Sequence, residues 1–135
     1  MNPFFESLNR ILIFSGSLIN WLLGGFDSLI FALIAFTAMD TLSVVLLGIT
    51  DKRVTKKIGI KSISKKMMMF VLASLGNIID QHVIGYGSSL RTMIILFYLS
   101  NEGINIIGNA GKMGLPLPDK LKEAIQQLNG SDNKK

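Results

Sequence analysis

The chain has 135 residues, about half of them apolar, and carries a net charge of +5 without a cysteine. A soluble domain of this length is usually more highly charged, so the composition favours a membrane protein. The length allows one domain, residues 1–135, and excludes a separate catalytic module, while the lack of cysteine excludes disulfides and thiolate chemistry.

The first predicted element is an N-terminal helix over residues 4–23. At helical spacing its apolar side chains gather on one face and its polar ones, among them Arg10, gather on the other. This division is typical of an amphipathic helix that lies in the membrane interface. Residues 11–26 carry no charge, however, so a fourth transmembrane helix is the alternative. The pair Gly24-Gly25 is expected to end the helix.

Three apolar stretches follow, each long enough to cross a bilayer: residues 28–50, 67–86 and 92–111. A helix of about 20 residues is about 30 Å long, which matches the hydrocarbon core. The second and third stretches are predicted to form an antiparallel hairpin, because the connection around Gly87 is very short. A segment with two prolines then separates the spans from a short polar helix at 119–129.

A basic segment joins the first two spans. Its seven cationic residues are Lys52, Arg53, Lys56, Lys57, Lys61, Lys65 and Lys66. Basic loops between membrane spans stay in the cytoplasm, and this one lacks the aromatic residues expected in a nucleic-acid interface. We therefore predict a cytoplasmic loop at residues 51–66 and a cytoplasmic C-terminal helix. The N-terminus lies outside if residues 4–23 stay on the membrane surface, and inside if they cross it.

The predicted fold is thus an all-α membrane protein of the cytoplasmic membrane. It has three transmembrane helices, an N-terminal amphipathic or fourth transmembrane helix, and a short cytoplasmic C-terminal helix. The sequence shows no nucleophile–base pair and no cluster of metal ligands. We therefore expect no enzymatic activity, no cofactor and no metal.

Polar residues recur along the predicted spans, and each span carries one carboxylate. The residues that we expect to form a pore-lining or helix-packing face are Asp40, Asn77, Asp80, Asn101, Glu102, Asn105 and Asn109. An ionised carboxylate in lipid costs several kcal/mol, and no lysine or arginine is expected at matching depth, since Arg91 is assigned to the outer hairpin loop. The helices therefore pack their polar faces together, or several copies turn those faces toward a shared aqueous lumen.

Five short elements occur in order between about residues 24 and 128. They are Met39-Asp-Thr41, the basic stretch Lys56–Lys66, Ile78-Ile-Asp80, Phe97-Tyr-Leu-Ser-Asn-Glu-Gly103, and Gly114-Leu-Pro-Leu-Pro-Asp-Lys-Leu121. With these elements the chain resembles the phage holins related to the clostridial toxin-secretion holins.

The resemblance implies a protein that accumulates in the bacterial cytoplasmic membrane and then assembles into holes. Such holes let an endolysin reach the cell wall, which lyses the host, or in some relatives let a large protein toxin leave. The implied partners are further copies of the same chain, the lipid bilayer, and the endolysin or toxin as cargo. Neither catalysis nor a cofactor is implied.

Two other functions fit the same residues. A small ion or proton channel, or a transporter subunit, would use the carboxylates as an ion path. A membrane adaptor would use the basic loop and the C-terminal helix to recruit a cytoplasmic partner. Passage of a folded protein through the membrane distinguishes a holin from a channel, and an intact membrane with a bound partner indicates an adaptor.

Overall fold

The computed structural model describes residues 2–51 and 56–128. Within these residues the chain is all-α, as expected, and forms five α-helices. They are α1 (Pro3–Leu23), α2 (Ser28–Asp51), α3 (Lys56–Ile78), α4 (Ser89–Lys112) and α5 (Asp119–Leu128). A π-helical segment, Ile79–Ile84, continues α3 toward the hairpin.

Helix α1 is a continuous helix with well-defined ends. The Asn2 side chain accepts a hydrogen bond from the Phe4 amide at 3.1 Å, and Pro3 occupies the first helical position. Both features are favourable at a helix start, because they leave no amide donor without a partner. At the other end Gly24 and Gly25 adopt φ values of 83° and 101°, as the predicted break requires.

Helix α3 begins 11 residues before the predicted start of the second span at residue 67. The prediction of a loop at residues 51–66 is therefore wrong for most of its length, and Lys61, Lys65 and Lys66 are helical. Lysine is a good helix former and no proline interrupts this stretch, so a high charge does not imply a loop. Lys56 and Lys57 lie in the first turn of α3, whereas Lys52 and Arg53 lie outside the described residues.

Helix α4 is the centre of the bundle. It packs in parallel with α2 and antiparallel to α3, and α5 folds back onto it. The buried apolar core consists of Leu23, Ile30, Leu33, Met69, Ala73, Ile95 and Leu99. Gly103 lets α5 approach, because a Cβ atom at that position would lie 2.7 Å from Ile125 Cδ1. The predicted polar C-terminal helix is thus docked against the bundle.

Two segments of the described chain are long and apolar enough to cross a membrane: Ser28–Thr50 and Gly59–Ile84. Their outward faces remain apolar, and Phe31 and Ile49 are 73% and 67% exposed in the isolated chain. Neither α1 nor α4 meets the same criterion. The structure therefore supports two of the three predicted spans on length and composition alone.

Candidate functional site

Four of the seven residues predicted on the polar face fall into two separate clusters of buried charge. The hairpin cluster consists of Asp27, Asn77, Asp80 and Arg91, and the lysine cluster consists of Asp40, Lys66 and Glu102. Arg91 and Glu102 are 11 residues apart on α4, which corresponds to about 16 Å along the helix axis. The two clusters are therefore separate sites.

Arg91 is the centre of the hairpin cluster, and it belongs to α4 rather than to the hairpin loop to which the sequence assigned it. The residue lies in the first turn of α4 and is only 3% exposed. Its guanidinium donates to both carboxylate oxygens of Asp27, at 2.9 and 3.1 Å, and to the backbone carbonyls of Leu23 and Gly25. A planar guanidinium suits this pattern because its donors point in several fixed directions.

The same contact shifts the titration of Asp27, which lies in the loop between α1 and α2. The hydrogen bond from Arg91 is the main cause that lowers the pKa of this carboxyl below its ordinary value of 3.8, and burial opposes it. Asp27 Oδ1 also accepts from the Ile30 amide at 3.1 Å and so caps the start of α2.

Asp80 and Asn77 hold the remaining parts of the hairpin cluster together. The Asp80 carboxylate accepts from the amides of Leu90 and Arg91 at 3.2 and 2.9 Å, so its charge lies at the N-terminus of α4. The Asn77 amide donates to the carbonyl of Leu22 at 3.0 Å and so fixes the end of α1. Both residues were expected on a pore-lining or helix-packing face, and in the structure both make contacts between helices near helix ends.

The lysine cluster connects three helices through side chains alone. Lys66 Nζ donates to Asp40 Oδ2 of α2 at 2.5 Å and to Glu102 Oε2 of α4 at 2.8 Å. The three residues are 3–8% exposed. The expectation that no cation lies at the depth of these carboxylates is therefore wrong. The cluster has one positive and two negative groups, and pairing lowers the cost of keeping them away from water.

An open cleft of about 420 Å³ adjoins the lysine cluster. Its lining includes Asp40, Lys66 and Glu102, together with Val44, Ser62, Lys65, Met69, Ile104, Asn105, Gly108, Asn109 and Lys112. Asn109 donates to Ser43 Oγ at 2.8 Å, and Ser43 Oγ donates to the Asp40 carbonyl at 2.7 Å. The polar face of α4 thus continues from the buried cluster to an exposed surface at Asn105. Asn101 is half-buried on α4 and is not part of this lining.

Three contributors were missed or misplaced by the sequence pattern: Asp27, Lys66 and Arg91. Asp27 directly precedes an apolar run, which is a helix-capping signal that could have identified it. Lys66 lies three residues before the buried Met69, so a helix extended backward from the span would have turned Lys66 inward. Arg91 follows two hairpin serines, and no local signal indicates its burial.

The chemistry available to these clusters is ionic and hydrogen-bonding. Among the described residues, no group of three or more histidine, aspartate or glutamate side chains is placed to hold a metal ion. The lysine cluster can hold three helices in register, and the adjoining cleft offers charged and amide groups to a neighbour.

An all-α membrane protein with internally paired charges is the class that the fold and these clusters define. Within that class, the chain belongs to the bacteriophage holin family, whose model matches residues 17–130. The resemblance drawn from the sequence elements is confirmed at this level. The family is not an enzyme family.

Similar chains occur in several bacteria. An uncharacterized protein of Clostridium perfringens (strain 13 / Type A) is 34% identical over 121 residues, which cover 90% of each chain. An uncharacterized 14.9 kDa protein from the nagH 3′ region of Clostridium perfringens is 35% identical and covers 84% of this chain and 86% of its own. An uncharacterized Listeria monocytogenes protein is 33% identical, covering 82% and 78%. No solved structure matches the chain.

Proposed function

We propose that this protein is a holin that assembles in the bacterial cytoplasmic membrane into a hole. The hole releases an endolysin, which leads to lysis of the host, or a large protein toxin. The observation that carries the proposal is the polar cleft that opens beside the buried charges of the lysine cluster, in a chain of the holin family. In a membrane such a surface must face water, polar headgroups or another copy.

Helix α4 is the third transmembrane span in this proposal, although it does not meet the criterion of length and hydropathy that α2 and α3 meet. The two charges within it are neutralised inside the bundle, since Arg91 pairs with Asp27 and Glu102 pairs with Lys66. A mean hydropathy taken over all residues of α4 treats Arg91 and Glu102 as if they faced lipid. Because they do not, the outward face of α4 is more compatible with a bilayer than its mean hydropathy suggests.

The proposed topology places the start of α3 and the end of α4 in the cytoplasm. Helix α3 begins in a stretch with several lysines, and α4 ends at Lys112, whereas the hairpin between them buries its single cation, Arg91. This distribution follows the positive-inside rule. Helix α5 then lies at the cytoplasmic interface, and α1 lies on the opposite surface.

Single cysteines test the topology directly, because the natural chain has none. Lys120→Cys is exposed on α5, and Ser88→Cys lies in the hairpin connection. An impermeant thiol reagent added to intact cells before lysis should label Ser88→Cys and spare Lys120→Cys. Labelling with the reverse pattern would invert the topology, and labelling of neither until the membrane is opened would place both on the cytoplasmic side.

The proposal also requires that several copies assemble. Asn105 is the residue at which assembly can be tested without disturbing the fold of one chain. Its side chain is exposed on the cleft and holds no described helix pair together, so Asn105→Leu should insert and fold. We expect the variant to delay lysis and to lower the yield of crosslinked oligomers. The matched control is Ser64→Leu, since Ser64 is exposed on α3 and donates only to the Ile60 carbonyl of its own helix.

Release of a folded protein is the deciding measurement. The full chain is expressed in a bacterium that also contains an endolysin without a secretion signal, and wall digestion is followed together with leakage of a membrane-potential dye. A holin gives both signals. Loss of potential without wall digestion would instead indicate the ion or proton channel. An intact membrane with a co-purifying cytoplasmic protein would indicate the adaptor.

A further inference from the structure

The cleft beside the lysine cluster has a second set of polar groups that the cluster does not use. Lys65 and Lys112 both line the cleft, and neither forms an ion pair with another residue in the described part of the chain. Ser62 adds a hydroxyl on the α3 wall, and Asn105 adds an amide on the α4 wall. Donors therefore converge on the same space from two helices.

The charge of the lining favours an anion. Asp40 and Glu102 are both bonded to Lys66, at 2.5 and 2.8 Å, on the buried side of the cleft. The remaining charged groups of the lining are Lys65 and Lys112, which are both cationic and both exposed. A phosphate group offers only acceptors to such donors and is bound best by positive charge.

The position of the cleft favours a lipid as the carrier of that phosphate. Lys112 is 10 residues beyond Glu102, or about 15 Å along α4, and it ends the helix on the basic side of the bundle. The outward surfaces of the flanking helices are apolar, as at Ile63 and Met67, which are 57% and 65% exposed. A ligand with a charged head and apolar tails satisfies both surfaces together.

We propose that this cleft binds the phosphate headgroup of an anionic phospholipid. Lys65 and Lys112 are its charge partners, and Ser62 donates a hydrogen bond. The site is formed by residues of α2, α3 and α4 of one protomer. It requires a membrane protein but not hole formation, so its failure and the failure of the proposed function are distinguishable.

Native mass spectrometry of the full chain in detergent tests the site with phosphatidylglycerol and phosphatidylcholine as probes. We expect one phosphatidylglycerol to remain bound per protomer, and phosphatidylcholine to bind at least about tenfold more weakly. The double variant Lys65→Gln/Lys112→Gln should lower phosphatidylglycerol binding to the phosphatidylcholine level. Lys61→Gln is the matched control, because Lys61 is on the same helix but outside the lining. Equal binding of both lipids, or an equal loss in the control, would overturn the proposal.

Two glycine substitutions test whether the lipid occupies the cleft itself or is only attracted to the positive charge around it. A Cβ atom at Gly108 or at Gly111 would meet nothing within 4 Å, so both positions tolerate a larger residue, but only Gly108 lines the cleft. Gly108→Leu should therefore abolish the bound lipid while leaving every charge in place, and Gly111→Leu should retain it. Retention in both variants would refute a cleft-bound headgroup.

A competition experiment distinguishes a bound lipid from bound soluble phosphate. Inorganic phosphate at millimolar concentration is added to the lipid-bound protein. A lipid held by its head and tails should stay bound. Displacement of phosphatidylglycerol by inorganic phosphate would assign the lysines to a soluble anion and would overturn the lipid proposal.

Discussion

The hairpin cluster and the lysine cluster use buried charge in different ways. Arg91 bonds to two backbone carbonyls and a capping carboxylate, and Asp80 bonds to two backbone amides. The lysine cluster contains only side-chain pairs, between Lys66 and the carboxylates of Asp40 and Glu102. The first therefore fixes the course of the chain, whereas the second fixes the relative position of three helices that are already formed.

The hairpin cluster is therefore expected to matter for the fold, and the lysine cluster for the proposed function. Removing a group from the hairpin cluster leaves backbone atoms without partners, and these cannot be relocated without changing the loop. A side-chain cluster can be replaced as a unit by neutral groups of similar size. The lysine cluster also adjoins an open cleft, so a neutral replacement leaves the helices in place and changes the surface that another copy or water would meet.

The largest effect is expected for Arg91→Leu. The change leaves the Leu23 and Gly25 carbonyls without the guanidinium and removes the partner of Asp27. Each buried carbonyl left without its donor costs roughly 1–3 kcal/mol. The loss of stability is measured from the midpoint of thermal unfolding of the full chain in detergent. Arg10→Leu is the control, since it removes the same charge from an exposed position on α1, and equal midpoints for the two variants would contradict the assignment.

A somewhat smaller effect is expected for Lys66→Met, because Lys66 bonds only to side chains and its loss leaves no backbone group without a partner. We expect a loss of roughly 3 kcal/mol in the free energy of unfolding. Adding Asp40→Asn and Glu102→Gln should recover most of that loss, since no uncompensated charge remains buried.

The triple variant, Lys66→Met with Asp40→Asn and Glu102→Gln, separates the effect of the lysine cluster on stability from its effect on function. If the charges of the lysine cluster serve assembly or a wet lumen, the refolded variant inserts normally and lyses cells late. Normal lysis timing would show that the cluster is only a packing device. Failure of the two added substitutions to restore the unfolding midpoint would contradict the view that the cluster is replaceable as a unit.

Gly103→Leu should have a smaller effect that is confined to α5. A Cβ atom at this position already lies 2.7 Å from Ile125 Cδ1, so a larger side chain pushes α5 away. Overpacking of this kind costs about 1–3 kcal/mol. Faster tryptic cleavage at Lys120 and Lys122 would report the displacement. Gly111→Leu is the control, because nothing lies within 4 Å of a Cβ atom there; matching cleavage rates would argue against the docked position of α5.

The helices themselves were largely predictable from sequence. Long apolar stretches and the Gly24-Gly25 pair carry strong local signals, so α2 and α4 contain the predicted stretches 28–50 and 92–111. The start of α3 was not predictable from charge, because lysines that flank a membrane span are compatible with both a loop and a helix.

The pairing of the polar residues was not predictable, because it depends on which helices are neighbours. Asp40 and Glu102 are 62 positions apart, and their common partner, Lys66, was assigned to a loop. Periodicity shows which side of a helix is polar, but it does not distinguish a contact with a helix of the same chain from a contact with another copy. The same limit applies to Arg91, whose backbone partners carry no side-chain signal at all.

The smallest effect concerns the pH dependence of the hairpin cluster. Arg91 lowers the pKa of Asp27 below its ordinary value of 3.8 in the folded protein. A carboxyl with a lowered folded pKa contributes stability that is fully present above the unfolded pKa and is lost as the pH falls through the folded pKa. Because the Asp27 side chain is 49% exposed, solvent screens the pair and the contribution is small. Asp27→Asn keeps an oxygen that can cap α2, but it removes the charge and replaces one of the two oxygens that accept from Arg91 with an NH2 donor. The unfolding midpoint of the natural chain should therefore exceed that of Asp27→Asn at neutral pH, and the difference should shrink below about pH 4. A difference that stays constant down to pH 3 would mean that the hydrogen-bond geometry, and not the charge of Asp27, holds Arg91 in place.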